Sequence, residues 1–119
     1  TRPYLGVQLM GPVRVRGVDN IRMGLVVVGL PEGFGAEESG IRPVELNEKG
    51  DEIVGSGDLV VAVAGQKVRG TKDIRTALSG RLPGENVAVT LLRNWPDKPY
   101  LEDVSIELRA RRYQSINKD

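Results

Sequence analysis

The sequence predicts an α+β domain organised on a curled, mostly antiparallel sheet. Apolar runs of strand length recur along the chain, at Gly24-Leu25-Val26-Val27-Val28-Gly29, Asp58 to Val63 and Val87 to Leu92, and Val104 to Leu108 alternates apolar and polar residues. Between them lie two short stretches with helix character, around Ala36 and Lys72 to Ser79. Most connections are shorter than the dozen or so residues that a parallel crossover takes, so neighbouring strands are expected to run antiparallel.

The first element is Tyr4-Leu5-Gly6-Val7, leading into Val7-Gln8-Leu9-Met10. A glycine between apolar residues lets the backbone turn sharply, and its amides can converge on one point with no Cβ in the way. Converged N–H groups form a concavity that suits an anion. Side chains alternate along the strand that follows, which places Leu5, Val7 and Leu9 on one face. An anion cradle beside an apolar strip matches a terminal carboxylate and its last side chain, a known mode of peptide capture.

Gly11 to Asn20 reads as a loop or hairpin excursion. Gly24 to Gly29 is apolar throughout and is expected to be buried on both faces, with Pro31 ending it. Ala36-Glu37-Glu38 is a helical turn with Gly40 placed as its C-terminal cap. Residues 42–57 are polar and acidic, with turn chemistry at Asn47-Glu48-Lys49-Gly50-Asp51. They read as a solvated acidic insert, a small hairpin dispensable for folding. The EF-hand order of ligands is not met there.

Asp58 to Val63 is the second buried strand, turned by Ala64-Gly65. Thr71 is expected to cap a helix over about Lys72 to Ser79, with Asp73 in its positive first turn. Ile74, Ala77 and Leu78 form its apolar stripe, and Gly80 stops it. Pro83-Gly84 turns into the strand Val87 to Leu92, and Asn94 to Pro99 connects to the alternating strand Val104 to Leu108. From Arg109 onward the chain is basic and is expected to fray.

The 119 residues suffice for one domain, and no apolar run approaches the ~20 residues of a membrane span. Thr1 opens the chain with no signal-like segment, so it reads as an excised domain. Residues 30–58 carry a net charge of −6, leaving +7 for the rest of a chain whose total is +1. With one Phe, one Trp and three Tyr for stacking, these charges read as solvated faces and not as a nucleic-acid surface. There is no cysteine and no histidine. That removes disulfides, thiolate nucleophiles, a Ser-His-Asp triad and His- or Cys-ligated metal. Neither Gly33-Phe34-Gly35 nor Gly55-Ser56-Gly57 completes a dinucleotide loop, and Ser56 is not in a nucleophile elbow. No catalysis, cofactor or metal is expected of this chain.

Three segments in order resemble the PDZ domain of the HtrA/Deg family of trypsin-like serine proteases. They are Arg2-Pro3-Tyr4-Leu5-Gly6-Val7; then Gly24-Leu25-Val26-Val27 with Ala36, Ser39-Gly40-Ile41 and Gly57 to Gly65; and finally Val68 to Leu92 with Pro83-Gly84. Two features depart from the family pattern: the insert at about 42–57, and Ala64 where an asparagine often precedes the turn glycine.

The resemblance implies a PDZ-like domain over 1–109, with a five- to six-stranded sheet forming a partly open barrel, two helices, and a basic tail or linker over 110–119. It implies that a peptide C-terminus lies between the Val7-Gln8-Leu9-Met10 strand and the helix starting at Thr71. The loop at Tyr4, Leu5, Gly6 and Val7 would hold the carboxylate, and Leu5, Val7, Leu9 and Leu78 would line the pocket for the last side chain. Thr71, Arg75 and Leu78, at i, i+4 and i+7, would share the groove side. The implied role is a non-catalytic module of an extracytoplasmic serine endopeptidase, monomeric in isolation. It would bind C-terminal or unfolded polypeptide segments and act with its own protease domain in protein quality control. A domain that only mediates subunit contacts is the other reading.

Overall fold

The computed structural model describes residues 3–18 and 20–110. Its elements are β1 (Pro3–Tyr4), β2 (Gln8–Arg14), β3 (Met23–Gly29), α1 (Gly35–Glu38), β4 (Glu45–Leu46), β5 (Ile53–Gly55), β6 (Gly57–Val63), β7 (Gln66–Lys67), α2 (Thr71–Ala77), β8 (Asn86–Trp95), β9 (Tyr100–Glu107) and β10 (Arg109–Ala110).

A six-stranded open sheet runs in the order β2-β3-β6-β8-β9, with β7 paired to β6 beside the start of β3. Every ladder among the described residues is antiparallel. This is the expected PDZ-like α+β architecture: two helices on a curled sheet that does not close.

The continuous apolar runs are explained by cover on both faces. All of β6 is buried, and it divides its side chains between two clusters. Val60 and Val63 join Leu25, Val27, Ala77 and Leu78 under α2, whereas Leu59 and Val61 join Val15, Val26, Val44 and Leu92 on the opposite face.

That second face corrects the reading of residues 42–57. Val44 is buried, its N–H donates to the Val27 carbonyl at 2.9 Å, and Leu46 and Ile53 pack partly against the same cluster. Gly57 is also fixed here, since a Cβ on it would meet the backbone nitrogen of Val44 at 2.5 Å. Residues 42–44 are therefore part of the body, and the solvated portion is the tip from Asn47 to Glu52. Composition hid this because only one side chain in the stretch is fully buried, and it sits beside a proline among acids.

The tail expectation changes as well. Arg109 and Ala110 pair with Tyr4 and Pro3, and Arg109 spans from the Gly33 carbonyl (3.1 Å) to Glu38 (2.8 Å) and Glu107 (3.2 Å). The rest of the basic tail lies outside the described residues.

At α2 the N-cap is Gly70, not Thr71, and no side chain caps it from that position. Thr71 is the first helical residue, while Asp73 Oδ2 accepts the Arg69 N–H at 2.8 Å. Gly80, at φ +81°, follows the end of the helix as expected.

Candidate functional site

A groove of about 700 Å³ opens between the chain leading into β2 and the inner side of α2. Its two walls follow from two periodicities. Period two along the strand brings Leu5, Val7 and Leu9 to one side. On the helix, Thr71, Ile74, Arg75 and Leu78 stand at i, i+3, i+4 and i+7, and all four line the groove. Leu5 and Leu78 are buried, Val7, Leu9 and Ile74 half-buried, and Thr71 and Arg75 exposed at the rim. The floor is thus aliphatic and the lip polar.

Gly6 is constrained twice. Its φ of +85° favours glycine, and a Cβ there would collide with the Phe34 side chain. Phe34 in turn meets Tyr4 edge-on, with ring centroids 6.3 Å apart at 71°. The Leu5 carbonyl accepts the Ala36 N–H at 3.2 Å, which ties this loop to α1. By contrast, the N–H groups of Gly6 and Val7 donate to no acceptor among the described residues. Buried or half-buried donors are ordinarily paired, so two adjacent open ones at the head of an apolar groove suit an anion.

Of the ten residues singled out from sequence, eight line the groove: Tyr4, Leu5, Gly6, Val7, Leu9, Thr71, Arg75 and Leu78. Gln8 and Met10 do not. The Gln8 side chain lies over Gly29, and Met10 is exposed, so neither side chain belongs to the groove wall. Sequence reasoning missed Pro3, Ile74 and the corner Ser79-Gly80-Arg81-Leu82. Ile74 was legible as i+3 from Thr71 but was assigned wholly to core. Leu82, 64% exposed, is an isolated leucine between polar turn residues, a signal that was available. Arg81 is steered by its own helix, donating from Nε to the Ala77 carbonyl at 3.4 Å, with Glu85 4.0 Å away.

No protein-family model matches this sequence, and none of the curated proteins matches it. Among solved structures, the HtrA-type protease AlgW with decapeptide superposes with a TM-score of 0.65 at 19% identity, over 95% of this chain. An alanine variant of AlgW, also with decapeptide, gives 0.64 at 18% identity over 93%. In each case this chain spans 30% of the other's length. At such identity the likeness speaks for architecture alone: the chain has a PDZ-like fold, similar to about a third of the AlgW chain.

Proposed function

We propose that this chain is a non-catalytic peptide-binding module of a serine protease. It holds the C-terminus, or an extended segment, of a polypeptide by adding it as a strand to β2. The observation that carries this reading is the pair of open N–H groups at Gly6 and Val7 beside an aliphatic floor. The carboxylate accepts from those amides, and the last side chain enters the space between Leu5, Val7, Leu9 and Leu78. The AlgW structures, which contain decapeptide, support peptide binding by a protein that includes this fold.

On this reading the parent is a trypsin-like serine endopeptidase working outside the cytoplasm in protein quality control. The module tethers unfolded or signalling polypeptides and communicates with its own protease domain. Peptides ending in Val, Leu, Ile or Phe bind best, with dissociation constants on the order of 1–100 µM for so small an interface.

Nitrogen-edited NMR titration with a free-acid peptide ending in valine tests the proposal. Shifts should concentrate at Gly6, Val7, Leu9 and along α2. No response there, or a response confined to the opposite face of the sheet, contradicts it.

A further inference from the structure

Beyond the groove, the molecule has a second, basic cavity of about 490 Å³ between the chain entering β3 and the chain leaving β7, beside Val61 of β6. Arg22, Lys67 and Arg69 line it above an apolar floor that includes Val61 and Val68. The Lys67 Nζ donates to the Asn20 carbonyl at 2.7 Å, which brings β7 against the connection between β2 and β3. With Arg14 at the end of β2 and Arg16 on that same connection, residues 13–23 and 66–70 hold five cations against Asp19, and the Asp73 carboxylate also reaches this end of the fold, accepting the Arg69 N–H at 2.8 Å. Among the described residues, none of the five forms an ion pair.

The position of this cluster gives it a role. The Lys67–Asn20 contact and the short step from Arg69 to Thr71 place the N-terminus of α2 at the end of the sheet where β2 finishes. A peptide whose carboxylate sits at Gly6 must therefore leave the groove between Leu9 and Thr71, heading for Arg14 and Arg69. Main-chain pairing stops on the way: the β2–β3 register shifts between Met10 and Val13, and Pro12 brings no N–H. Past Met10, recognition passes from backbone to side-chain charge.

We infer that this basic end is an exit subsite that selects peptides carrying acidic residues about five to eight positions upstream of their C-terminus, given ~3.3 Å per strand residue. The inference rests on the groove being a peptide site, and it adds a charge criterion that the groove itself lacks.

The test compares free-acid peptides of about a dozen residues that share their last four and carry Glu, Gln or Lys in the upstream segment. The shared four-residue peptide and a triple variant, R22Q with K67Q and R69Q, are measured alongside, with thermal melts checking that the variant folds. At low salt the Glu peptide should bind about tenfold tighter than the Lys peptide, and the difference should collapse near 0.5 M salt. In the triple variant the difference should shrink while the short peptide binds unchanged. Equal binding of Glu and Lys peptides by the unmodified protein at low salt, with the short peptide still bound, overturns the exit subsite alone. A short peptide that does not bind overturns the groove reading and this inference together.

Discussion

Asp58 on β6 and Arg93 on the neighbouring β8 form an ion pair inside the body of the domain, with Nη2 3.2 Å from Oδ2 and Nε 3.3 Å from Oδ1. The Asp58 side chain is 2% exposed. Its Oδ2 also accepts the Arg42 N–H at 2.8 Å, and Arg93 reaches the Gly40 carbonyl at 2.6 Å and Glu102 at 2.9 Å. One guanidinium thus joins the end of the α1 turn, β6, β8 and β9. Burial opposes its charge, but the hydrogen bonds to Glu102 and Asp58 outweigh that and raise its pKa above the usual arginine value.

Replacing Arg93 by Met strands a buried carboxylate and should cost roughly 3–5 kcal/mol in a denaturant melt. Glu102→Gln removes a half-exposed partner and should cost less than about 1 kcal/mol. Because the folded pKa of Arg93 is raised, its contribution is complete below the unfolded pKa and is lost only as pH passes the folded one. No alkaline loss from this pair is therefore expected up to about pH 10. Equal costs for the two variants would mean that the interior pair is not what holds these strands.

Excising the insert should depend sharply on where the cut falls. Replacing Asn47 to Glu52 by a short Gly linker leaves Val44, Leu46 and Ile53 in place and should retain a cooperative melt, since loop shortening changes closure entropy little. Removing everything from Pro43 to Ser56 uncovers Leu59, Val61 and Leu92 and should abolish it. Val44→Ala alone should cost about 1–3 kcal/mol. A full deletion that melts like the parent would show that the second cluster contributes no stability.

Gly6→Ala combines an unfavourable φ with a collision against Phe34, so it should destabilise by at least about 2 kcal/mol. Introduced into Phe34→Gly, which removes the Cβ that the new methyl would meet first, the same change should cost less, because only the backbone term remains. A double-mutant cycle with no coupling would show that Phe34 does not close the space above Gly6.

Arg75 stands on the exposed lip of the groove, four residues from Thr71 and three from Leu78. It should favour a Glu over a Lys two or three residues upstream of the peptide carboxylate by roughly 0.2–1 kcal/mol, and less as salt rises. Arg75→Glu should invert that preference without altering the choice of last residue. An unchanged Glu/Lys ratio at low salt would place Arg75 out of reach of the peptide.

Local patterns made much of this molecule legible. Alternation in Leu5, Val7 and Leu9 and helical spacing from Thr71 to Leu78 defined both walls of the groove, and glycine-bounded apolar runs marked β3 and β6. What could not be read depends on contacts distant in sequence. Pairing of Pro3 with Ala110 joins the two ends of the fold, and nothing local to either residue announces it. Phe34 beneath Gly6 and Val44 beneath Leu59 are each a single apolar residue in a polar stretch, so no periodicity marks them as core. The corner at Arg81 and Leu82 is held by Gly84 and Glu85, whose backbones exchange hydrogen bonds with Leu108 across more than twenty residues. The capping role expected of Thr71 is not filled by a side chain, because Thr71 already lies inside the helix and Asp73 turns back to the Arg69 N–H before it.

The central claim is that the Gly6–Val7 amides read a free carboxylate. Calorimetry on one peptide ending in valine, prepared as the free acid and as the C-terminal amide, tests it most directly. The amide replaces an anion by a neutral group that can no longer accept two charge-assisted hydrogen bonds, so its affinity should fall by roughly tenfold or more. Equal affinities for acid and amide would contradict the account, leaving the apolar groove without its anion cradle.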